Sequence, residues 1–214
     1  MAQFNYQFSK LRQTTNSCSV NNYLDSIALL GTSADPPTCG HEALLKGLLT
    51  LFPKVITWAS NNPLKKHATS LETRHALLKA LVEDIDNPQL EIIQGLSSPW
   101  TISTLKKATS RWPKANFVFV IGSDLAQEIP NWLQVKDLLK KARIAIAIRE
   151  GWPLKQSQIN KIEVLGGKID LLPLTIPASS SSIFRENFKT SQIPKAILPL
   201  LKNQNLYGLT NSSQ

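Results

Sequence analysis

Cysteine is scarce in this sequence, and its scarcity excludes two kinds of protein. Only Cys18 and Cys39 occur among the 214 residues. Two cysteines are too few for the disulfide framework of a small secreted domain, and neither has a partner at the spacing of a metal-binding pair. We therefore expect a protein of a reducing compartment that holds no metal ion with its own side chains.

Long apolar runs are missing as well. No stretch reaches the about 18 uninterrupted apolar residues of a membrane-spanning helix, and the N-terminus, MAQFNYQFSKLRQ, lacks the apolar run of a signal peptide. Both absences predict a cytoplasmic protein that has no membrane partner.

Basic residues form no run of five or more, although the formal net charge is +9. An excess of positive charge attracts polyanions, which include nucleic acid, membrane phosphates and small phosphorylated substrates. A surface for nucleic acid needs basic residues gathered on one face, whereas here they are scattered along the chain. We therefore expect no nucleic-acid partner. The sequence leaves open whether the protein forms a homo-oligomer.

The sequence does contain enough apolar residues for one continuous core. Hydrophobic residues make up 42% of the chain, which suits a single compact domain. Residues 1–25 are polar and show no sustained periodicity, so they are expected to form a loosely ordered N-terminal extension. The domain is expected over residues 26–209, with a C-terminal tail at residues 210–214.

Short apolar segments alternate with helical patterns along the domain. The six segments of strand length are residues 27–30, 55–59, 90–93, 117–121, 144–148 and 169–172. The clearest helical pattern begins at Thr69, which forms a capping-box pattern with Glu72. Because parallel strands need crossover connections, the alternation predicts an α/β fold with a parallel sheet and helices on both faces. Ligands of such sheets bind where the strands end.

The segment after the first strand, residues 31–41, contains the first candidate site. Gly31 would let the backbone approach a ligand, Pro36 and Pro37 would stiffen the turn, and Gly40 would permit close packing where His41 enters a helix. The start of a helix presents free N–H groups and partial positive charge, which suit a phosphate. An ordinary strand-to-helix turn with a capping histidine is the alternative interpretation.

Thr38, Gly40 and His41 resemble the (H/T)xGH signature of the adenylyltransferase superfamily, whose members have a Rossmann-like fold. Further segments are similar, in the same order, to those of nicotinate mononucleotide adenylyltransferases: residues 62–65, 100–105, 122–124 with 129–132, 180–185, and 194–197 with 206–207. The resemblance covers residues 27–207.

This resemblance implies transfer of the adenylyl group of ATP to nicotinate mononucleotide, with release of pyrophosphate and Mg²⁺ carried by the ATP phosphates. It implies catalytic roles at the triphosphate for Thr38, His41, Lys65 and Arg185. ATP-binding roles are implied for Gly31, Thr32, Ser33, Gly40, Gly122, Asp124, Ser180, Ser181 and Ser182. Roles in binding the mononucleotide are implied for Trp100, Thr101, Trp132 and Arg149.

The sequence departs from the family pattern at four positions. Thr32 stands where a second glycine is usual, Ala34 replaces an aromatic residue, and Thr38 and Leu64 each replace a histidine. These departures leave open a non-catalytic nucleotide-binding protein of the same fold. A pantetheine-phosphate adenylyltransferase and a preference for nicotinamide mononucleotide are further alternatives.

Several site residues also have a plain structural alternative. Lys65 with Lys66 and His67 could form a solvated loop, and the serines at 179–182 a flexible turn. Asp124 could cap a helix, and Arg149 could be an ion-paired surface arginine. Among the remaining tryptophans we expect Trp58 in the core, and leave Trp112 and Trp152 undecided.

Overall fold

The computed structural model describes residues 23–63 and 65–210. Leu64 therefore lies outside the described residues. So do most of the predicted extension at 1–25 and most of the tail at 210–214. Tyr23 is fully buried and stacks on Phe52, with 4.2 Å between the ring centroids. The packed part of the chain thus includes residues that precede the predicted boundary at residue 26.

Six strands and seven α-helices make up the described chain. The strands are β1 (Ser26–Thr32), β2 (Lys54–Ala59), β3 (Leu90–Ile92), β4 (Asn116–Gly122), β5 (Arg143–Arg149) and β6 (Ile169–Ile176). The helices are α1 (Cys39–Leu49), α2 (Leu71–Ile85), α3 (Thr101–Arg111), α4 (Val135–Lys141), α5 (Gln156–Val164), α6 (Ser181–Asn187) and α7 (Leu198–Asn203). Short 3-10 helices span Gln94–Leu96, Ser123–Asn131, Thr190–Gln192 and Leu206–Gly208. All six predicted strands are confirmed.

The strands form one parallel sheet in the order β3-β2-β1-β4-β5-β6. The chain begins in the middle, moves to one edge through β2 and β3, and then returns to the other side of β1 with β4. The direction of the connections reverses between β1 and β4, where Leu29 pairs with Phe119. Because all strands run the same way, the loops that follow them meet at one edge, with the reversal at its centre.

Apolar side chains alternate between the two faces of the sheet and build a core on each. On β1, Ala28 and Leu30 join a core covered by α1, α2, α6 and α7, whereas Ile27 and Leu29 join one covered by α3, α4 and α5. Trp58 belongs to the second core with 4% of its surface exposed, as predicted. The predicted single domain with helices on both faces of a parallel sheet is confirmed. Among the described residues, no helix is both long and apolar enough to cross a membrane.

The start of α2 differs from the prediction by one residue. Ser70, not Thr69, caps the helix, and its side chain accepts a hydrogen bond from the N–H of Thr73 at 3.2 Å. The Thr69 hydroxyl instead donates to the carboxylate of Asp35 at 2.8 Å. The predicted cap at Thr69 was wrong because a distant carboxylate binds that hydroxyl.

Candidate nucleotide-binding site

The loop between β1 and α1 lies at the centre of the edge where the strands end. A Cβ atom on Gly31 would stand 2.8 Å from the indole of Trp58, so a larger residue would displace that ring. Thr32 is an ordinary strand residue paired with Ala59, which explains why no glycine is needed there. Ala34 is buried with a φ of 48°, a left-handed conformation that residues with a Cβ seldom adopt. The loop is thus tightly shaped before it reaches α1.

Thr38 and His41 bind each other at the start of α1. The backbone N–H of Thr38 donates to Nδ1 of His41 at 3.0 Å, and the Thr38 hydroxyl lies 2.9 Å from the same nitrogen. A nitrogen that accepts an N–H bears no proton, so the neutral ring carries its proton on Nε2. Burial, together with the charges of Arg149 and Lys65, lowers the pKa of His41 from 6.5 to about 3. His41 therefore offers a neutral Nε2–H donor rather than a positive charge.

The first turn of α1 packs directly against the segment that precedes α6. The Thr38 hydroxyl lies 3.4 Å from the carbonyl oxygen of Ser179. A Cβ atom on Gly40 would stand 2.8 Å from that same oxygen, so only glycine fits without moving backbone. The structure therefore brings the signature residues and the serine-rich segment together, although they are far apart in sequence.

The predicted serines are part of this junction. Ser180 caps α6, and its side chain accepts a hydrogen bond from the N–H of Ile183 at 3.2 Å. The Ser181 hydroxyl donates to the carbonyl oxygen of Pro36 at 2.8 Å. These bonds hold the start of α6 against the loop after β1, so the serines form an ordered helix start rather than a flexible turn.

Arg185 is bound to the same loop. Its Nη1 donates to the carbonyl oxygen of Asp35 at 2.5 Å and lies 3.8 Å from the Asp35 carboxylate. Its Nη2 lies 3.4 Å from the hydroxyl of Ser182, which can accept a weak hydrogen bond. Arg185 therefore binds the same loop that ends at His41.

Asp35 is a central residue of the site that the sequence analysis missed. Its carboxylate is 1% exposed and accepts hydrogen bonds from the N–H of Ala68 at 2.6 Å, Thr69 at 2.8 Å and the hydroxyl of Tyr207 at 2.6 Å. Burial favours the neutral acid, but these donors and Arg185 outweigh it and lower the pKa of Asp35 below its ordinary value. Three distant segments are thereby joined to one carboxylate.

Arg74 is a second residue that the sequence analysis missed. It lies on α2 with 1% of its surface exposed, and its Nη1 donates to the carbonyl oxygens of Ser33 and Ser60, both at 2.8 Å. It thus joins the loop after β1 to the loop after β2. A signal was present, because Arg74 precedes Leu77, Leu78 and Leu81 on the apolar stripe of the helix.

The ends of β4 and β5 form the other half of the edge. Arg149 donates to the carboxylate of Asp124 at 3.1 Å, while Oδ1 of that carboxylate is buried without a protein partner in the described chain. The Ser123 hydroxyl donates to the carbonyl oxygen of Trp152 at 2.6 Å and accepts the N–H of Arg149 at 3.1 Å. A Cβ on Gly122 would clash with Asp124. The indole of Trp152 is partly exposed, and the Arg149 guanidinium lies 5.9 Å from its centroid.

Lys65 lies in the exposed loop between β2 and α2. Its backbone N–H donates to the carbonyl oxygen of Asn62 at 3.2 Å, and its charge is near enough to lower the pKa of His41. In the same loop, Nδ1 of His67 lies 3.8 Å from the Asp35 carboxylate. The loop therefore belongs to the group of segments around Asp35.

The other predicted aromatic residues lie farther along the edge. Trp100 directly precedes α3, which begins at Thr101, and 45% of its surface is exposed. Trp132 is half-buried against the core beneath α3, α4 and α5. Within the described residues, no hydrogen bond or ring contact joins Trp100 or Trp132 to His41. Trp112 lies elsewhere, before the start of β4, beside Lys54 and Arg111.

Carboxylates are not gathered into a metal-binding group in the described ranges, 23–63 and 65–210. Those ranges contain no group of three or more histidine, cysteine, aspartate or glutamate side chains that could hold a metal ion. Asp35 already accepts hydrogen bonds from three donors. The described side chains therefore supply donors and positive charges, which suit phosphate oxygens, but no metal cage.

Known proteins share both the sequence and the fold. Residues 29–187 match the cytidylyltransferase-like family. A probable nicotinate-nucleotide adenylyltransferase of Synechocystis sp. is 36% identical over 196 residues, which cover 85% of this chain and 98% of that protein. A probable nicotinate-nucleotide adenylyltransferase of Bacillus cytotoxicus is 25% identical over 82% of this chain and 92% of its own.

The solved structures agree on the fold. Plasmodium falciparum nicotinic acid mononucleotide adenylyltransferase complexed with NaAD has a TM-score of 0.72 and 22% identity, covering 87% of this chain and 98% of that one. A putative nicotinate-nucleotide adenylyltransferase from Vibrio parahaemolyticus has a TM-score of 0.58 and 20% identity. The predicted Rossmann-like fold is confirmed. From its sequence matches, the chain belongs to the cytidylyltransferase-like family and, within it, to the nicotinate-nucleotide adenylyltransferases.

Proposed function

We propose that this protein transfers the adenylyl group of ATP to nicotinate mononucleotide, forming the deamido-NAD dinucleotide and pyrophosphate. The observation that supports it most is the convergence at one sheet edge of a neutral Nε2–H donor at His41 with the cations Lys65, Arg149 and Arg185. Four separate segments supply these groups. A triphosphate needs donors and positive charge on several sides, and a second nucleotide needs room along the same edge.

The reaction is a displacement at phosphorus. The 5′-phosphate oxygen of the mononucleotide forms a bond to the α-phosphorus of ATP, while the bond from that phosphorus to the bridging oxygen breaks and pyrophosphate leaves with the electron pair. No covalent enzyme intermediate is needed, so the protein contributes by positioning the nucleotides and stabilising charge. Direct attack inverts the configuration at phosphorus.

His41 and Arg185 act where negative charge grows. Nε2–H of His41 would donate to a phosphate oxygen, and Arg185 and Lys65 would stabilise the departing pyrophosphate. Thr38 would act through His41, because its backbone N–H and hydroxyl hold Nδ1. Mg²⁺ would enter with ATP, held by phosphate oxygens and water.

The remaining predicted residues would shape the two nucleotide subsites. Backbone close to ATP would come from Gly31, Thr32, Ser33, Gly40 and Gly122, with hydroxyls from Ser180, Ser181 and Ser182 and a ribose contact from Asp124. The mononucleotide would lie along Trp100, Thr101, Trp132 and Arg149, because a pyridinium ring stacks favourably on an exposed indole.

Pyrophosphate release tests this assignment. The purified protein is incubated with MgATP and, in separate reactions, nicotinate mononucleotide, nicotinamide mononucleotide or pantetheine phosphate. We expect the highest kcat/KM with nicotinate mononucleotide. Faster turnover of another acceptor would replace the proposed substrate, and ATP binding without pyrophosphate release from any acceptor would favour the non-catalytic alternative.

The setting of the enzyme is part of the proposal. A cytoplasmic location fits the few cysteines and the supply of ATP, and small nucleotides rather than nucleic acid are its proposed partners. A homo-oligomer stays a prediction, which light scattering of the purified protein would test.

A further inference from the structure

The C-terminal turn reaches back to the loops that would face the phosphates. Tyr207 lies in the turn Leu206–Gly208, and its hydroxyl donates to Oδ1 of Asp35 at 2.6 Å, across 172 positions of sequence. The Thr69 hydroxyl donates to the same oxygen at 2.8 Å and lies 3.0 Å from the Tyr207 hydroxyl. These three oxygen atoms form a closed triangle.

Two of the proposed catalytic residues are connected to this triangle. Thr69 ends the loop that carries Lys65, and Arg185 donates to the backbone carbonyl of Asp35 at 2.5 Å. A shift of Asp35 would therefore move both cations relative to a bound triphosphate. Catalysis is sensitive to such shifts, since misplacement by about 1 Å can lower a rate 100-fold.

Tyr207 is held in place against its own backbone preference. Its φ of 55° and ψ of 28° lie in the left-handed region, which is unfavourable for a bulky residue and persists only where surrounding contacts enforce it. The ring packs edge-on against Phe184, with centroids 6.1 Å apart, and Phe184 directly precedes Arg185 on α6. Tyr207 thus contacts α6 through its ring and the loop after β1 through its hydroxyl.

The hydroxyl of Tyr207 also stabilises the charged form of Asp35. The titratable and charged groups that face this carboxylate are Tyr207, His67, Arg74 and Arg185. Burial and the bond to Asp35 raise the pKa of Tyr207, so its hydroxyl remains a donor throughout the physiological range. Removing this donor would raise the pKa of Asp35, because burial would then be opposed by fewer hydrogen bonds.

We propose that Tyr207 is a positioning residue for adenylyl transfer, which through Asp35 sets where Arg185 and the Lys65 loop stand relative to the ATP phosphates. The proposal rests on the proposed function. Tyr207 is not proposed to touch either nucleotide. Its loss should therefore lower kcat, where the aligned cations stabilise developing charge, more than it changes the KM for ATP.

The test variant is Tyr207→Phe, which keeps the ring against Phe184 and removes the hydroxyl. We expect kcat to fall about tenfold while the KM for ATP changes less than about twofold. The acid limb of the kcat profile should move to higher pH, since Asp35 would take up a proton sooner. Thr69→Val, which removes the other donor to the same oxygen, should act in the same direction and decides the question if Tyr207→Phe does not fold.

Tyr23→Phe is the matched control, because Tyr23 is also a buried tyrosine but packs on Phe52, near the start of β2. It should leave kcat and its pH profile unchanged. Wild-type kcat and acid limb in Tyr207→Phe and Thr69→Val would overturn the inference and leave the proposed function intact. Absence of pyrophosphate release by the wild-type protein would refute both.

Discussion

Two buried carboxylates lie at opposite ends of the sheet, each beside an arginine. Asp170, 3% exposed, is near the start of β6 and accepts a hydrogen bond from Arg143 on the neighbouring strand at 2.5 Å. Asp35, 1% exposed, follows the end of β1 and binds groups from the β2–α2 loop, α6 and the C-terminal turn. The first carboxylate joins two adjacent strands, whereas the second joins loops from across the fold.

This difference distinguishes a carboxylate that stabilises the sheet from one that arranges the loops of the candidate site. At the edge of the sheet where the strands begin, Arg143 binds Asp170, and Lys54 and Arg111 lie over the ring of Trp112. Where the strands end, the bonds to Asp35 fix loops, while Lys65 remains exposed and His41 keeps a neutral donor. We call the edge of the sheet where the strands begin its amino end, and the edge where they end its carboxyl end. Changes at the amino end should alter stability alone, and changes at the carboxyl end should alter catalysis.

His41→Ala should produce the largest contrast between the two ends. Removing one preorganised donor to developing charge lowers kcat by about 100- to 1,000-fold, with a much smaller change in ATP affinity. Arg143→Ala at the amino end should leave kcat unchanged. Steady-state pyrophosphate release and ATP titration measure both quantities. A fully active His41→Ala variant would remove His41 from the mechanism.

Low pH should decrease the free energy of unfolding through His41, at the carboxyl end of the sheet. In the unfolded chain His41 takes up a proton near pH 6.5, but in the folded protein only near its pKa of about 3. Its contribution to stability is therefore complete above pH 6.5 and is lost as the pH falls toward 3, by about 3 kcal/mol at pH 4. Urea unfolding at pH 7 and pH 4 should show a smaller difference in His41→Gln than in the wild type. His75→Gln, on α2, controls for the loss of a histidine elsewhere.

Neutralising the two carboxylates compares the ends directly. Asp35→Asn and Asp170→Asn each remove one buried charge beside an arginine, and each should lower the free energy of unfolding by about 1–3 kcal/mol. Only Asp35→Asn should also lower kcat, by about tenfold, because it loosens Arg185 and the Lys65 loop. Loss of turnover in Asp170→Asn, measured where both variants are folded, would contradict the distinction between the ends.

Two glycines of α1 give the finest comparison. A Cβ atom on Gly40 would stand 2.8 Å from the backbone oxygen of Ser179, and one on Gly47 would stand 2.8 Å from the movable end of Leu174. Gly40→Ala should cost about 1–3 kcal/mol of stability and lower kcat. Gly47→Ala should stay within about 1 kcal/mol of wild type, since the gain in helix propensity offsets the shift of Leu174. Equal thermal stability and equal kcat of the two variants would show that the contact of Gly40 with the Ser179 backbone does not matter for the site.

Local patterns in the sequence predicted the strands and the segments that follow them. The apolar segments matched the four inner strands, β1, β2, β4 and β5, because these strands are buried almost throughout, as is typical of a parallel sheet with helices on both faces. The edge strands β3 and β6 are less buried, but their short apolar segments also matched. Residues 38–41 and 180–185 were expected at helix starts, where the structure has Thr38 and Ser180 as caps. Their roles toward the nucleotides stay predictions.

The contacts around Asp35 could not be predicted in this way. Its partners Thr69 and Tyr207 are 34 and 172 positions away, and no periodic pattern connects them. The same contact explains the wrong cap at Thr69, since the hydroxyl that fits a capping box is bound elsewhere. Arg74 could have been found, because an arginine on an apolar helix stripe must have buried partners.

Arg74 holds two loops through backbone atoms alone. Its guanidinium holds the carbonyl oxygens of Ser33 and Ser60, and every amino acid supplies such an oxygen. This connection between the loops after β1 and β2 therefore does not depend on the side chains at positions 33 and 60, whereas the connection through Asp35 depends on its carboxylate. Exchange of Ser33 or Ser60 for another amino acid would leave Arg74 with both of its acceptors, so this part of the scaffold tolerates substitution at the two positions it holds.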